Sequence, residues 1–343
     1  MADQAAFEKS INVLFNDILQ PMDGNDVPRP RVDAADTGTA PVIEVHNLRM
    51  RYGTKDVLTG MDFTVRRGEV VALLGPNGAG KSTTIEILEG FRKRSAGRVE
   101  VLGVDPDHGD EAWRARLGIV LQSWRDHGRW RVRQLLAHFG RYYRPYGTPD
   151  RPRPFDVDDL IAMVGLTEQG ESRVGALSGG QRRRLDVAIG LVGRPDLLFL
   201  DEPTTGFDPE ARQDFHNVVQ QLTAADDMTV LLTTHDLHEA EKLADRILIL
   251  AGGIVVADGS PAQLATRVAS KAEVRYSIDG RPEVRSVDDA TTYVRGLFER
   301  HGQAVGDLEI RRANLEDVYL TMVRNAVTGQ GTEVPRELSG AKS

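Results

Sequence analysis

Eight residues, GPNGAGKS at 75–82, constrain this chain more than any other stretch. They match the pattern G-x-x-x-x-G-K-[S/T], and their context suits it. An apolar run, EVVALL (69–74), reads as a strand entering the loop, and a helix is predicted from about Ser82 to Leu88. Glycines let the backbone wrap closely around a phosphate chain. The loop amides and the helix N-terminus then point partial positive charge at the anion. Gly75, Pro76, Asn77, Gly78, Ala79, Gly80, Lys81, Ser82 and Thr83 are therefore the candidate phosphate cradle. Lys81 would reach the β- and γ-phosphates and Ser82 would bind Mg²⁺.

A second group of residues supplies what the cradle lacks. LLFLDEP (197–203) is an apolar strand ending in Asp201 and Glu202. Carboxylates at the end of a buried strand carry a desolvation cost that a metal ion would offset. Asp201 would hold Mg²⁺, and Glu202 would polarise the water that attacks the γ-phosphate. By themselves the two acids also suit a helix cap ahead of Pro203. His235 closes another apolar strand in THD (234–236), where it would contact the γ-phosphate. Gln122 ends GIVLQ (118–122) in the same manner, within reach of Mg²⁺ or the water. Taken alone, a strand-end residue of this kind is usually structural, and Gln122 is the weaker sign of the two.

A third feature lies about a hundred residues past the loop. LSGGQRRRLDVA (177–188) is a Ser-Gly-Gly turn feeding a helix. It offers free N–H groups and a positive dipole end, a second phosphate site with no lysine or metal ligand. An ordinary capped helix would read the same way. As a phosphate site it need not face its own loop, since head-to-tail packing of two chains would bring it to the other chain's γ-phosphate.

The pattern along the chain is α/β. VIEVHNL and MDFTV (61–65) alternate as half-buried strands do, and VEVLG (99–103) adds another. Residues 130–195 are mostly helical in pattern. LLFL (197–200) and MTVLLTT (228–234) are too continuously apolar to alternate, as suits parallel strands buried on both faces, with a crossover helix at about 209–225. The expected organisation is an amphipathic helix at 1–20, a Pro/Asp/Gly/Ala-rich linker at 21–41 and a main domain at 42–260 with a helical part at about 125–190. A small α/β appendage follows at 261–325, reading strand, helix, strand, helix, and then a polar tail at 326–343. The first helix rests on Phe7, Ile11, Leu14, Phe15, Ile18 and Leu19 along one face. Lys9 is its only basic residue, which favours docking on protein over membrane insertion.

Bulk properties then narrow the options. With 343 residues, more than one compact unit is expected. A formal net charge of −8 argues against nucleic-acid or anionic-lipid binding, and the absence of cysteine removes disulfides, thiolate metal sites and thiol nucleophiles. No apolar run reaches the ~18–20 residues that span a bilayer. ILILAGGIVVA (247–257) is broken by two glycines and reads as a hairpin, and the N-terminus lacks a signal-peptide pattern.

Taken in order, GPNGAGKST, Gln122, LSGGQ, LLFLDEP, Asp208 and His235 resemble the nucleotide-binding subunit of ATP-binding cassette (ABC) transporters over residues 43–260. The resemblance implies a P-loop NTPase fold with a mainly parallel sheet, an antiparallel β subdomain and a helical signature subdomain. It implies ATP and Mg²⁺ as cofactors and ATP hydrolysis coupled to transport. It also implies that Ser178, Gly179, Gly180, Gln181 and Asp208 act on ATP held by the opposing subunit of an ATP-dependent homodimer. Tyr52 in MRYG stands where the family has an aromatic that stacks on adenine. The implied partner is a separate polytopic membrane permease, so the chain would sit in the cytoplasm against the inner face of the membrane. SWRDHGRWRVRQ departs from the family, and Trp124 and Trp130 are expected either to shape the permease-docking cleft or to pack within the helical part. NLEDVYL (314–320) is similar to the C-terminal motif of the daunorubicin-resistance exporters, although Asn314 capping a helix, with Glu316 and Asp317 in its first turn, would explain it structurally. Two other functions suit a cassette: a soluble ABC ATPase acting on ribosomes or DNA, and a nucleotide sensor that does not turn over. The single cassette without long insertions weighs against the first. Intact Glu202 and His235 weigh against the second.

Overall fold

The computed structural model describes residues 40–120, 127–205, 207, 209–226, 228–268, 272–312, 316, 319 and 323. The expected N-terminal helix and most of its linker, and Gln122, Trp124, Asp208, Asn314 and Asp317, lie outside these residues.

A six-stranded sheet carries the molecule. Its strands are β3 (Val70–Leu74), β5 (Leu117–Val120), β6 (Leu197–Asp201), β7 (Thr229–Thr234), β8 (Arg246–Ala251) and β9 (Ile254–Gly259), in the order β5-β6-β7-β3-β8-β9. All neighbours run parallel except the β8–β9 hairpin. β3 and β7 are buried at every position. This is why their sequences show no alternation: both faces are covered. One face carries the larger core, which includes Leu74, Leu198, Leu232 and Phe215. The other carries a second core around Leu73, Phe199, Leu231 and Leu248.

The second core is closed by an antiparallel sheet of β2 (Lys55–Val65), β1 (Ile43–Tyr52) and β4 (Ala96–Val101), in that order. β2 begins six residues before the alternating MDFTV stretch, because Leu58 is buried although charged residues and glycines surround it. The helices α1 (Lys81–Leu88) and α2 (Glu111–Arg114) belong to this side of the chain. The helical part comprises α3 (Val132–Tyr143), α4 (Val157–Met163) and α5 (Gly179–Leu191), joined by short 3-10 turns. α6 (Pro209–Asp226) forms the crossover from β6 to β7, and α7 (Leu237–Leu243) follows β7. α8 (Pro261–Val268) buries Leu264 in the larger core.

The appendage is an antiparallel sheet of β11 (Arg281–Val287), β10 (Ala272–Ile278) and β12 (Val305–Arg312) with α9 (Ala290–His301) packed on it through Leu297. The order is strand, strand, helix, strand, which adds a strand to the sequence expectation. β11 is an edge strand carrying Pro282 and an exposed Val284, and its polar composition hides it from a hydrophobic pattern.

Candidate nucleotide-binding and hydrolytic site

The site forms where three parallel strands end together. β3 runs into the glycine-rich loop, and the Gly75 amide donates to the Thr234 carbonyl at the end of β7 (3.3 Å). Gly80, the residue before α1, has φ +108°, and a Cβ there would lie 2.6 Å from Leu58 Cδ2. Both the backbone conformation and the close approach of β2 require glycine. Because Gly80 brings no capping side chain, the first amides of α1 are left for an anion.

Lys81 opens α1 and is buried. Its Nζ donates to the carbonyls of Gly75 (2.8 Å) and Pro76 (3.3 Å) and lies 3.4 Å from Glu202 Oε1. A buried ammonium satisfied by its own loop is a mobile donor set that a phosphate chain competes for. Ser82 is exposed beside it.

Asp201 and Glu202 stand at the end of β6, as expected. Thr233 on β7, which sequence reasoning passed over, organises both. Its hydroxyl donates to Asp201 Oδ1 (2.5 Å) and accepts from the Glu202 amide (3.0 Å). Burial raises the Asp201 carboxyl above its ordinary range; the Thr233 hydrogen bond and Lys81 pull it back, while the Glu202 charge adds to the rise. Glu202 adopts φ +42°, a conformation that non-glycine residues take only under restraint. Its Oε2 accepts from the Thr205 hydroxyl (3.3 Å) and lies 3.3 Å from His235 Nδ1. Lys81, Glu202 and His235, 154 residues apart at the extremes (235 − 81), thus meet on one carboxylate.

Tyr52 ends β1 and places its hydroxyl 3.5 Å from Thr83 Oγ1, so the aromatic stands beside the cradle. Ser178 caps α5: its hydroxyl accepts from the Gln181 amide (3.3 Å) and its own amide donates to Gln181 Oε1 (3.0 Å), a capping box. Gly179 and Gly180 fill the first turn. Arg183, one turn on, is buried and its Nε donates to the Pro203 carbonyl (2.9 Å), tying the signature helix to the residue after Glu202. Asp186 faces Arg183 (3.9 Å) and Arg182 (3.5 Å), and burial still pushes its carboxyl up to about 6. Arg183 belongs to the triplet Arg182–Arg183–Arg184, and nothing in that run singles it out by sequence.

Trp130 lies on a different surface. It is 36% exposed, tilted against His138 at 5.0 Å between ring centroids, and lines a cavity of about 530 Å³ with Arg129, Gln134, Ala137 and Arg141. It packs within the helical part and also faces outward.

Similarity to known proteins decides the assignment. A family model described as "ABC transporter" matches residues 58–205. A Nod factor export ATP-binding protein I from Ralstonia nicotianae is 39% identical over 83% of this chain and 94% of its own length. The chain belongs to the ABC family. It is an ATPase of that family, and daunorubicin resistance ATP-binding protein DrrA2 from Streptomyces coeruleorubidus is a further relative, 36% identical over 85% of the chain and 96% of its own length. In fold, this ABC subunit is similar to the ADP conformation of MJ1267, an ATP-binding cassette of an ABC transporter, with TM-score 0.58 and 25% identity over 67% of this chain and 95% of that one. It is also similar to an ATP-binding subunit of an ABC transporter with TM-score 0.59 and 24% identity, over 82% and 99% of the two chains.

Proposed function

We propose that this chain is the ATP-hydrolysing subunit of an exporter, acting as two copies that sandwich two ATP molecules and drive a separate membrane permease. The observation that carries this reading is the convergence of Lys81 and His235 on the two oxygens of Glu202, at 3.4 and 3.3 Å. A phosphate-binding cation, a carboxylate base and a histidine in one cluster suit in-line attack of water on a γ-phosphate. Relatives named for Nod factor export and daunorubicin resistance support export as the direction.

In this reading the loop of Gly75, Pro76, Asn77, Gly78, Ala79 and Gly80 wraps the β-phosphate, and the amides of Asn77, Gly78 and Gly80 donate to it, since Pro76 has no N–H and the Gly75 amide is held by the Thr234 carbonyl. Lys81 turns from the Gly75 and Pro76 carbonyls to the β- and γ-phosphates. That movement frees Glu202 Oε1 to accept a hydrogen bond from the attacking water. His235 contacts the γ-phosphate while Thr233 holds the Asp201 carboxylate and the Glu202 backbone amide in place. Ser82 and Asp201 suit Mg²⁺: a hydroxyl and a carboxylate are hard oxygen donors, and Mg²⁺ typically takes few protein ligands besides phosphate and water oxygens. The ion would neutralise charge on the β- and γ-phosphates, and Gln122 is assigned to it as well. Thr83 and Tyr52 hold the rest of the nucleotide, with Tyr52 stacking on the base.

Ser178, Gly179, Gly180 and Gln181, with Asp208, act on the ATP of the other copy. The exposed Ser178 cap, built on a helix N-terminus with no metal ligand of its own, supports a role in trans. The Trp130 groove is the docking surface for a cytoplasmic segment of the permease, and aromatic and arginine side chains there are typical anchors. No helix among the described residues is long and apolar enough to cross a membrane.

The test is Glu202→Gln. With Mg-ATP this variant should run as a stable dimer on size exclusion and retain two nucleotides per dimer without turnover. A monomer that still hydrolyses ATP would refute the assignment.

A further inference from the structure

Gly90 ends the first helix in an unusual way. Its φ is +77°, and a Cβ there would meet the Pro106 carbonyl oxygen at 2.8 Å, so the reversal needs glycine. The turn sends the chain back along α1. The amides of Phe91 and Arg92 both donate to the Glu86 carbonyl, at 2.9 and 3.0 Å. The Arg92 side chain follows the same direction. Its Nε pairs closely with the Glu86 carboxylate, and its guanidinium carbon lies 5.0 Å from the centroid of the Tyr52 ring. Arg92 is thus fixed to α1 by backbone and side chain together, and it rests on an aromatic that touches Thr83 of the cradle.

We propose that Arg92 is a positioning residue for the nucleotide base, holding the Tyr52 ring from one face so that the opposite face is presented to the base. This rests on the reading of Tyr52 as the base-stacking residue. The charge of Arg92 is matched by Glu86, so its effect reaches the nucleotide through the ring. A lone tyrosine at the end of a strand has rotamer freedom to lose when a base stacks on it. A guanidinium already seated on it, and itself locked by Glu86, removes that freedom beforehand. The cation also draws on the π-density of the ring from behind.

The test compares ATP with inorganic tripolyphosphate, which has the phosphates and no base, on the full chain with Mg²⁺ present. Arg92→Ala should weaken ATP binding about 2- to 5-fold, the range of an exposed cation–π contact. It should raise the KM for ATP with kcat unchanged and leave tripolyphosphate affinity as in the parent. Arg92→Lys should recover part of the loss. In a Tyr52→Ala background, which itself should weaken ATP at least about 5-fold through lost stacking, Arg92→Ala should add nothing. Equal losses for ATP and tripolyphosphate would overturn the inference, as would tighter or unchanged ATP binding, or additive losses with Tyr52→Ala. If Tyr52→Ala alone leaves ATP affinity unchanged, the base-stacking reading of Tyr52 falls, and this inference falls with it.

Discussion

Replacing Arg183, a residue only 5% exposed, with methionine keeps the aliphatic stem and removes the guanidinium. Two of its contacts carry the prediction. The first is the hydrogen bond from Nε to the Pro203 carbonyl at 2.9 Å, a charged donor on a buried acceptor, where about 1.5–3 kcal/mol is usual. The second is the charge facing Asp186 at 3.9 Å. Asp186 is already pushed up to about 6 by burial, with Arg183 the leading influence holding it down. Without Arg183 its folded-state pKa rises further, so a proton more readily relieves the buried charge. That relief caps the second loss, and the total should be about 2–4 kcal/mol. Urea denaturation should show a lower midpoint at unchanged slope. Adding Asp186→Asn to Arg183→Met should cost less than the sum of the single changes by at least ~0.5 kcal/mol. Because Pro203 directly follows Glu202, kcat for ATP should fall more than KM changes. Arg183→Lys should rescue little, since a point charge does not reproduce the guanidinium fork. A loss below about 0.5 kcal/mol with parental kcat would refute the idea that this arginine couples the Ser178 helix to Glu202.

Thr233→Val keeps the shape of β7 and deletes the hydroxyl shared by Asp201 and the Glu202 amide. Steady-state kinetics should show kcat down roughly tenfold, corresponding to ~1.4 kcal/mol, with KM within about twofold. His216 is buried, and burial, followed by the charges of Lys242 and Arg212, lowers its pKa from 6.5 to about 4. Between those values the unfolded chain binds a proton that the folded chain refuses. Stability should therefore fall as pH drops through that window, by up to about 1.4 kcal/mol per pH unit from this group, and His216→Leu should flatten that part of a pH–denaturation profile. Trp130→Ala should abolish capture of the permease from gently solubilised membranes while ATP binding by the isolated subunit is unchanged. Loss of both would mean that Trp130 serves folding alone.

The parts of the site that were legible in sequence are those whose chemistry demands particular residue types at close spacing. Lys81 and Ser82 are fixed by the loop that holds them. Asp201 and Glu202 are marked by the apolar strand that precedes them, because charge at the end of a buried strand needs a reason, whereas His235 gains its meaning only in company with the other motifs. Thr233 was invisible for the opposite reason: a threonine on a buried strand is ordinary, and its partner Asp201 lies 32 residues away. Arg183 was hidden among three consecutive arginines, and only the fold brings it to Pro203, 20 residues on. Tyr52 came into view through the family resemblance rather than through any local pattern. Among the strands, β3 and β7 were evident from unbroken apolar runs, and the edge strand β11 was missed because one exposed valine and a proline do not make a period.

The central claim is that each hydrolytic site is completed by Ser178 of a second copy. The most direct measurement is complementation between two inactive chains. Lys81→Ala removes the cradle cation, and Ser178→Arg blocks the signature turn, so each variant alone should hydrolyse no ATP. In an equimolar mixture about half of the dimers are mixed, each with one site built from two intact halves, so ATPase activity should return to about one quarter of the parental rate. A mixture that stays as inactive as its components, or a Ser178→Arg chain that turns over ATP at the parental rate by itself, would contradict the account.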